Sequence, residues 1–398
     1  MRKITLLYCV GLIGVLASCQ PETQTETEAP LANQAILETF GTKINPNALP
    51  NYANQAVPNY IRKDNTGNNP ITDEKAILGR VLFYDKNLSI DNSISCASCH
   101  KQAFAFSDTT LASPGVQGGS ATRHSMRLIN SRFANEAKFF WDERAATLEA
   151  QVTSPIQDHA EMGFSGQNGR PNLAVLLTKL GGIAYYQELF TLAFGSAAVT
   201  EPRMQQALAA FIRSIQSFDS KFDVGRATAP NDAAPFQNFT AQENLGKQLF
   251  LAPPVFNPNS VRISGGVGCQ GCHAAPEFDI DPNSRNNGVV RRIAAGGPLD
   301  LTNTRSPSLR DVVNSTGGSN GPFMHNGVFA TLQNVMGHYN TIPMVQGNNS
   351  LDARLMPGGI GQNLNLTPAE TAALVAFVRT LSGRDVYTNE KWSDPFTR

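Results

Sequence analysis

Apolar positions along the chain recur mainly at helical spacing, and strict period-two alternation is scarce. Leu173 to Phe194 and Arg203 to Phe218 carry such spacing and read as helical segments. Thr72, followed by the acidic pair Asp73-Glu74, opens another helix that runs through Leu78 to Phe83. Thr240 with Glu243 makes a capping-box pattern ahead of Leu245 to Phe250. Thr367-Pro368-Ala369-Glu370 caps a last helix with Leu374, Phe377, Val378 and Leu381 on one face, ended by Gly383. The segment Asn231 to Gln237, beside Pro230 and containing Pro235, reads as a linker between two halves. The pattern predicts a mainly α protein.

The halves resemble one another. Leu78-Gly79-Arg80-Val81-Leu82-Phe83 has a counterpart in Leu245-Gly246-Lys247-Gln248-Leu249-Phe250, which points to an internal duplication. The amino-terminal end has a different character. Arg2 and Lys3 precede the apolar stretch Ile4 to Leu16, too short to span a bilayer comfortably, and Leu16-Ala17-Ser18-Cys19 follows. This resembles a bacterial lipoprotein signal in which Cys19 takes the lipid; an ordinary secretory signal is the alternative. Pro21 to Pro30, rich in Thr, Glu and Pro, reads as a flexible tether. The expected divisions are a signal at 1–19, a tether and extension at 20–70, and two domains at 71–229 and 236–385. An exported, periplasmic location follows, with the membrane reached only through the lipid.

Composition narrows the partners. The 398 residues carry a formal net charge of zero with no basic cluster, so nucleic acid is excluded as a partner. Asn, Gly and Pro are frequent and charged residues sparse, which predicts many ordered loops between the helices.

The cysteines carry the chemistry. Setting aside Cys9 in the signal and Cys19, the remaining four fall in two like arrangements, Cys96-Ala97-Ser98-Cys99-His100 and Cys269-Gln270-Gly271-Cys272-His273. Each is the C-x-x-C-H signature of c-type haem attachment. Two thiols at this spacing can form thioethers with the two vinyl groups on one haem edge, and the next histidine turns to the iron. A disulfide within each C-x-x-C, or one zinc site built from both, are the competing readings. Zinc has no need of a histidine directly after each second cysteine. The expected cofactors are two covalently bound haems, one per cytochrome-c-like helical domain.

From about Leu78 to Gly383 the chain resembles the bacterial di-haem cytochrome c peroxidase family, which also contains the methylamine-utilisation enzyme MauG. The resemblance rests on Leu78-Gly79-Arg80, Leu82-Phe83, Leu88-Ser89, Phe104-Ala105-Phe106-Ser107-Asp108 and Phe139-Phe140-Trp141-Asp142-Glu143-Arg144-Ala145. Gln151, Glu161-Met162-Gly163, Arg305-Ser306-Pro307-Ser308-Leu309-Arg310 and Pro322-Phe323-Met324-His325-Asn326-Gly327 continue it. It implies that the first haem reacts with peroxide and the second receives electrons. His100 and His273 then match the proximal ligands, and Glu161 the distal acid that moves a proton as the O–O bond breaks. Gln151 matches a second pocket residue, hydrogen-bonding Glu161 or a water. Trp141 matches a tryptophan between the haems, where an indole serves electron transfer; core packing is the plain alternative.

Three departures matter. The family's distal histidine on the loop after the first site is missing: no histidine lies between Lys101 and Arg123, and its position falls near Val116. The first haem should therefore be five-coordinate or water-ligated, as in MauG. At the second haem the sixth-ligand position falls on Tyr339, again MauG-like, with Met336 one turn earlier as rival. A tyrosinate ligand would lower the haem potential. Finally, His124 stands where the family uses an asparagine to hold an interdomain calcium ion, together with carbonyls near Asn320 and Pro322. Imidazole is a poor calcium ligand, which counts against that ion.

The leading functional reading is a peroxidase that reduces hydrogen peroxide to water. Its electrons would come through the second haem from a small cytochrome c or cupredoxin. A MauG-like oxidase acting on a protein or organic substrate is the alternative within the fold. A di-haem electron carrier or redox sensor is the alternative of another class, and should show two six-coordinate haems. A homodimer is a candidate assembly.

Overall fold

The computed structural model describes Met1 and residues 33–135, 138–280, 284–291, 299–302 and 306–396. The expected signal, Cys19, the tether at Pro21 to Pro30, and Arg305 lie outside these residues. The protein is mainly helical. Its helices are α1 Gln34–Phe40, α2 Asp73–Tyr84, α3 Cys96–Cys99, α4 Leu148–Val152, α5 Ser154–Gln157 and α6 Leu173–Gly181. They continue as α7 Ala184–Phe194, α8 Glu201–Ser214, α9 Lys221–Thr228, α10 Ala241–Leu251, α11 Leu332–Asn340 and α12 Pro368–Arg379. Among the described residues, strand is confined to two short antiparallel pairs: β1 Pro254–Phe256 with β2 Arg262–Gly265, and β3 His273–Ala274 with β4 Asp279–Ile280. Among the described residues no helix is long and apolar enough to cross a membrane.

Caps start the helices where the sequence places them. The Thr72 hydroxyl accepts from the Lys75 amide at 3.2 Å. Thr240 and Glu243 bond reciprocally at 3.2 and 2.6 Å, as do Thr367 and Glu370 at 3.2 and 2.9 Å, satisfying amides that a helix start leaves open. Two expected segments differ from expectation. Leu173 to Phe194 is two helices, because the Gly182 amide is shared by the carbonyls of Thr178 and Lys179 at 3.2 Å each and Ile183 turns extended. The helix expected from Arg203 to Phe218 begins at Glu201, with Pro202 in its first turn, and stops at Ser214. Beyond it the Ile215 carbonyl and Ser217 amide leave the helix to bond Asn130, at 3.0 and 2.8 Å.

Two apolar cores result. One gathers α1, α2, α4, α7 and α8 with Trp392 from the carboxy-terminal end; the other gathers Phe222, α10, α11 and α12 around Phe377. Phe377 meets Phe250 and Phe278 edge-on at 5.2 and 5.9 Å. Segment 231–237 is tied down, with Phe236 inside the second core and the carbonyls of Asp232 and Ala234 each accepting from Lys247 Nζ at 2.5 Å.

The duplication seen in sequence is a duplicated helix crossing. A β-carbon on Gly79 of α2 would lie 2.0 Å from the Ala207 carbonyl oxygen and 2.7 Å from Phe211 Cβ on α8. On Gly246 of α10 it would lie 1.9 Å from the Ala373 carbonyl oxygen and 2.8 Å from Phe377 Cβ on α12. In both halves glycine lets the two backbones touch, and that crossing sets the floor beneath one C-x-x-C-H segment.

Candidate functional site

Each C-x-x-C-H segment opens onto its own cavity. The first cavity encloses about 1360 Å³ of empty space and is lined by Cys96, Cys99, His100, Gln151 and Glu161. The second encloses about 1040 Å³ and is lined by Cys269, His273, Met324, Met336 and Tyr339. None of the four cysteines is in a disulfide, and Cys96 and Cys99 line one cavity while Cys269 lines the other, so the described residues form no shared zinc site.

Local structure aims each histidine. After the single turn of α3, the Phe106 amide bonds back to the Lys101 carbonyl at 2.9 Å, which brings the Phe106 carbonyl to His100 Nδ1 at 3.1 Å. A carbonyl only accepts, so Nδ1 carries the proton and Nε2 keeps a lone pair for a metal. Burial lowers the pKa of His100, which keeps the ring neutral. Asp108 holds this loop closed from below. Burial disfavours its charge, but hydrogen bonds from Lys101, Ser113 and Thr110 outweigh that and hold it at about 2. Burial likewise pushes His273 down to about 4, and its Nδ1 is buried without a hydrogen bond. Two neutral histidines beside half-buried thiols fit two c-type haems.

Glu161 sits on a turn after α5. Its amide donates to Asp158 Oδ1 at 3.1 Å and its carbonyl accepts from the Val116 amide at 3.0 Å, which fixes the backbone. Burial, helped by the charge of Asp158 and opposed by Arg144, pushes the Glu161 carboxyl up to about 7. Val116, where a distal histidine was expected to be replaced, has its side chain buried away from the cavity lining. Gln151, on α4, lines the same cavity, but no hydrogen bond joins it to Glu161 among the described residues.

A shared wall separates the cavities. Trp141, His124, Ser125, Met126 and Arg127 line both. A tight turn closed by bonds between Phe139 and Ala145, at 2.9 and 3.4 Å, presents Trp141. Its indole Nε1 donates to the His124 carbonyl at 2.7 Å, and its ring meets His325 edge-on at 6.2 Å.

On the far side of the second cavity, α11 places Met336 and Tyr339 together, as the sequence spacing requires. The Tyr339 hydroxyl accepts from Asn287 Nδ2 at 3.2 Å, and the same amide also reaches Met324 Sδ at 3.3 Å. Burial raises the Tyr339 phenol well above its ordinary value, so only a bound cation would draw off its proton.

The expected calcium position does not fit that ion. His124 Nδ1 bonds the Thr110 carbonyl at 2.9 Å, burial followed by the charge of Arg127 pushes the ring down to about 4, and the buried Nε2 is without a partner. A neutral imidazole nitrogen thus stands where calcium needs oxygen. Cavity-lining residues that sequence reasoning did not single out include Arg127 and Asn287. They are isolated in sequence, and only the tertiary fold brings them to the cavities.

Comparison with known proteins agrees with this geometry. The family model described as di-haem cytochrome c peroxidase matches residues 73–228. The methylamine utilization protein MauG of Methylophilus methylotrophus is 30% identical over 323 residues, covering 79% of this chain and 84% of that protein. A cytochrome-c peroxidase of Denitromonas iodatirespirans is 30% identical over 358 residues, covering 79% of this chain and 83% of that protein. A crystal structure of a MauG-like protein associated with microbial copper homeostasis superposes with a TM-score of 0.66 and 27% identity, covering 86% of this chain and 99% of that chain.

Proposed function

The chain belongs to the di-haem cytochrome c peroxidase family, an oxidoreductase family, and on that footing we propose how its residues divide the work of reducing hydrogen peroxide to water. Cys96, Cys99 and His100 would hold one haem covalently, and Cys269, Cys272 and His273 the other, each in a cytochrome-c-like half of the chain. When bound, the first haem would supply the redox chemistry of peroxide reduction and the second a relay for electrons. The net reaction consumes one peroxide, two protons and two electrons and yields two waters.

Glu161 supplies the proton step. Its carboxylate takes the proton from the inner oxygen of peroxide and returns it to the outer oxygen as that oxygen leaves as water. A carboxyl titrating near neutral pH suits both halves of this exchange, and its solvent-poor cavity limits stray proton transfer. Glu161, in the cavity of His100 with a raised pKa and no hydrogen bond to its carboxyl among the described residues, is the observation that carries the reading. Trp141, on the wall common to both cavities, offers the bridging π-system. Gln151 would hold a water beside Glu161. Tyr339 would cap the second haem. The expected setting is the periplasm, lipid-anchored through Cys19, with a small cytochrome c or cupredoxin as donor.

Tyr339 favours a second reading. A phenolate on the second haem lowers its potential and makes it a weaker acceptor for ordinary cytochrome electrons. Electrons would then come from a protein or organic substrate, the MauG-like alternative. EPR of the ferric protein before and after peroxide tests the proposal. One high-spin and one low-spin haem, with the high-spin signal lost on stoichiometric peroxide, is the expected result. Two low-spin haems indifferent to peroxide would instead describe a carrier or sensor.

A further inference from the structure

Arg127 is an interior cation that makes no ion pair among the described residues. It lines both cavities, and its Nε is buried with no hydrogen-bond partner. The neighbouring arginines of the first cavity are already spent. Arg123 binds Asp142 at 2.6 Å and Asp300 at 2.7 Å, and Arg144 binds Asp142 at 2.8 Å. Burial pulls Arg127 down to about 10, against the charges of Asp311 and Tyr387. Asp311 acts on it only at a distance: its Oδ1 accepts from the Gly383 amide at 2.9 Å and from the Tyr387 hydroxyl at 3.0 Å, its Oδ2 is buried without a hydrogen bond, and no ion pair joins it to Arg127 among the described residues. A buried charge left without a close counter-ion is strongly destabilising. A site of this kind awaits an anion.

Resting on the di-haem reading above, we propose that Arg127 binds the carboxylate side chains of both haems, one guanidinium serving two cofactors from the wall between them. A c-type haem carries two vinyl groups on one edge and two carboxylates on the opposite edge. The cysteines tie down the vinyl edge, so the carboxylates must be met by other walls of each cavity. The wall common to both contains Arg127. Its planar fork of five N–H donors can hold carboxylates on two edges at once, which a lysine ammonium cannot reproduce. The position also explains the neighbouring substitution. His124, whose ring is pushed down partly by the Arg127 charge, is unsuited to a calcium ion, and a covalently fixed cation stands three residues away instead.

A positive charge held beside both haems favours the reduced form of each. Removing it should therefore lower both reduction potentials together. The test is an optical redox titration of the full haem-loaded chain as wild type, Arg127→Met and Arg127→Lys, with haem content measured for each. Arg127→Met is expected to reduce the equilibrium constant for reduction about tenfold at both haems, equivalent to about 59 mV for a one-electron couple. Arg127→Lys should keep most of the potential but shift the carboxylate bending bands of both haems in resonance Raman, because the charge remains while the paired hydrogen bonds are lost. Unmoved potentials, or movement at one haem only, in Arg127→Met with two haems bound would overturn the proposal and leave the family reading intact. If Arg127→Met loses haem, unchanged Raman bands in Arg127→Lys overturn it. Fewer than two haems in the wild type would overturn both the proposal and the reading beneath it.

Discussion

The indole N–H of Trp141 donates to the backbone carbonyl of His124 at 2.7 Å, and both residues stand on the wall that the two cavities share. The His124 amide in turn donates to the His325 carbonyl at 2.7 Å, so a single line of hydrogen bonds crosses from the Trp141 turn to the loop before α11. Trp141 is thereby a strut as well as the proposed bridging aromatic. Trp141→Phe keeps an aromatic ring but leaves the His124 carbonyl unpaired, at a cost of about 1–3 kcal/mol. The expected outcome is a modest fall in thermal stability. Reaction of the first haem with peroxide should continue, while reoxidation of a prereduced second haem slows. Equal slowing of both steps, by stopped-flow, would mean that the residue only packs.

Tyr339 and Met336 reach the second cavity from one helix face, so the fold alone does not choose between oxygen and sulfur. Chemistry favours Tyr339, whose phenol already accepts a hydrogen bond from Asn287 at 3.2 Å and whose buried proton a ferric iron would displace. Tyr339→Phe should change the low-spin haem spectrum and raise that haem's potential. Met336→Leu should leave both unchanged beyond a small packing cost, usually under about 1.5 kcal/mol. A spectrum that responds only to Met336→Leu reverses the assignment.

The two glycine crossings predict paired sensitivity. Gly79→Ala and Gly246→Ala each drive a methyl toward a backbone carbonyl oxygen, at 2.0 and 1.9 Å, which can recede only by parting the helices. Overpacking of this kind costs typically about 1–3 kcal/mol, and more where backbone is the obstacle. Chemical denaturation should show both variants destabilised. Their haem losses should differ, with Gly79→Ala weakening the first site and Gly246→Ala the second. Tolerance of either alanine would show that the crossing is looser than its geometry.

Local signals were legible in the sequence because their causes are local. Thr240-x-x-Glu243 and Thr367-x-x-Glu370 make capping boxes wherever they occur before an apolar run, and both form. Cys-x-x-Cys-His is equally self-contained. What the repeated Leu-Gly pair was for needed its partner, since Ala207-Leu208-Ala209-Ala210-Phe211 and Ala373-Leu374-Val375-Ala376-Phe377 lie far downstream of Gly79 and Gly246. The hairpin of β1 and β2 escaped notice because three- and four-residue strands with an irregular register carry too little alternation. Glu161 stood out only through the family resemblance; its raised pKa depends first on burial, which the identities of its neighbours do not reveal even though Asp158 lies three residues upstream. Arg127 carried no sequence signal, because a surface arginine and a buried one are spelled alike.

Glu161 is the most direct point of test. The base must be ionised to take the peroxide proton, and burial has raised its pKa to about 7. Reaction of the ferric protein with peroxide should therefore rise with pH below about 7 and level off above it. Glu161→Gln should keep both haems, slow that reaction by about 10²–10⁴-fold and abolish the pH step. The deciding measurement is stopped-flow of peroxide against wild type and Glu161→Gln across this range. Loss of rate and of the pH step together is the predicted result; a Gln variant reacting at the wild-type rate, with the same profile, would contradict it.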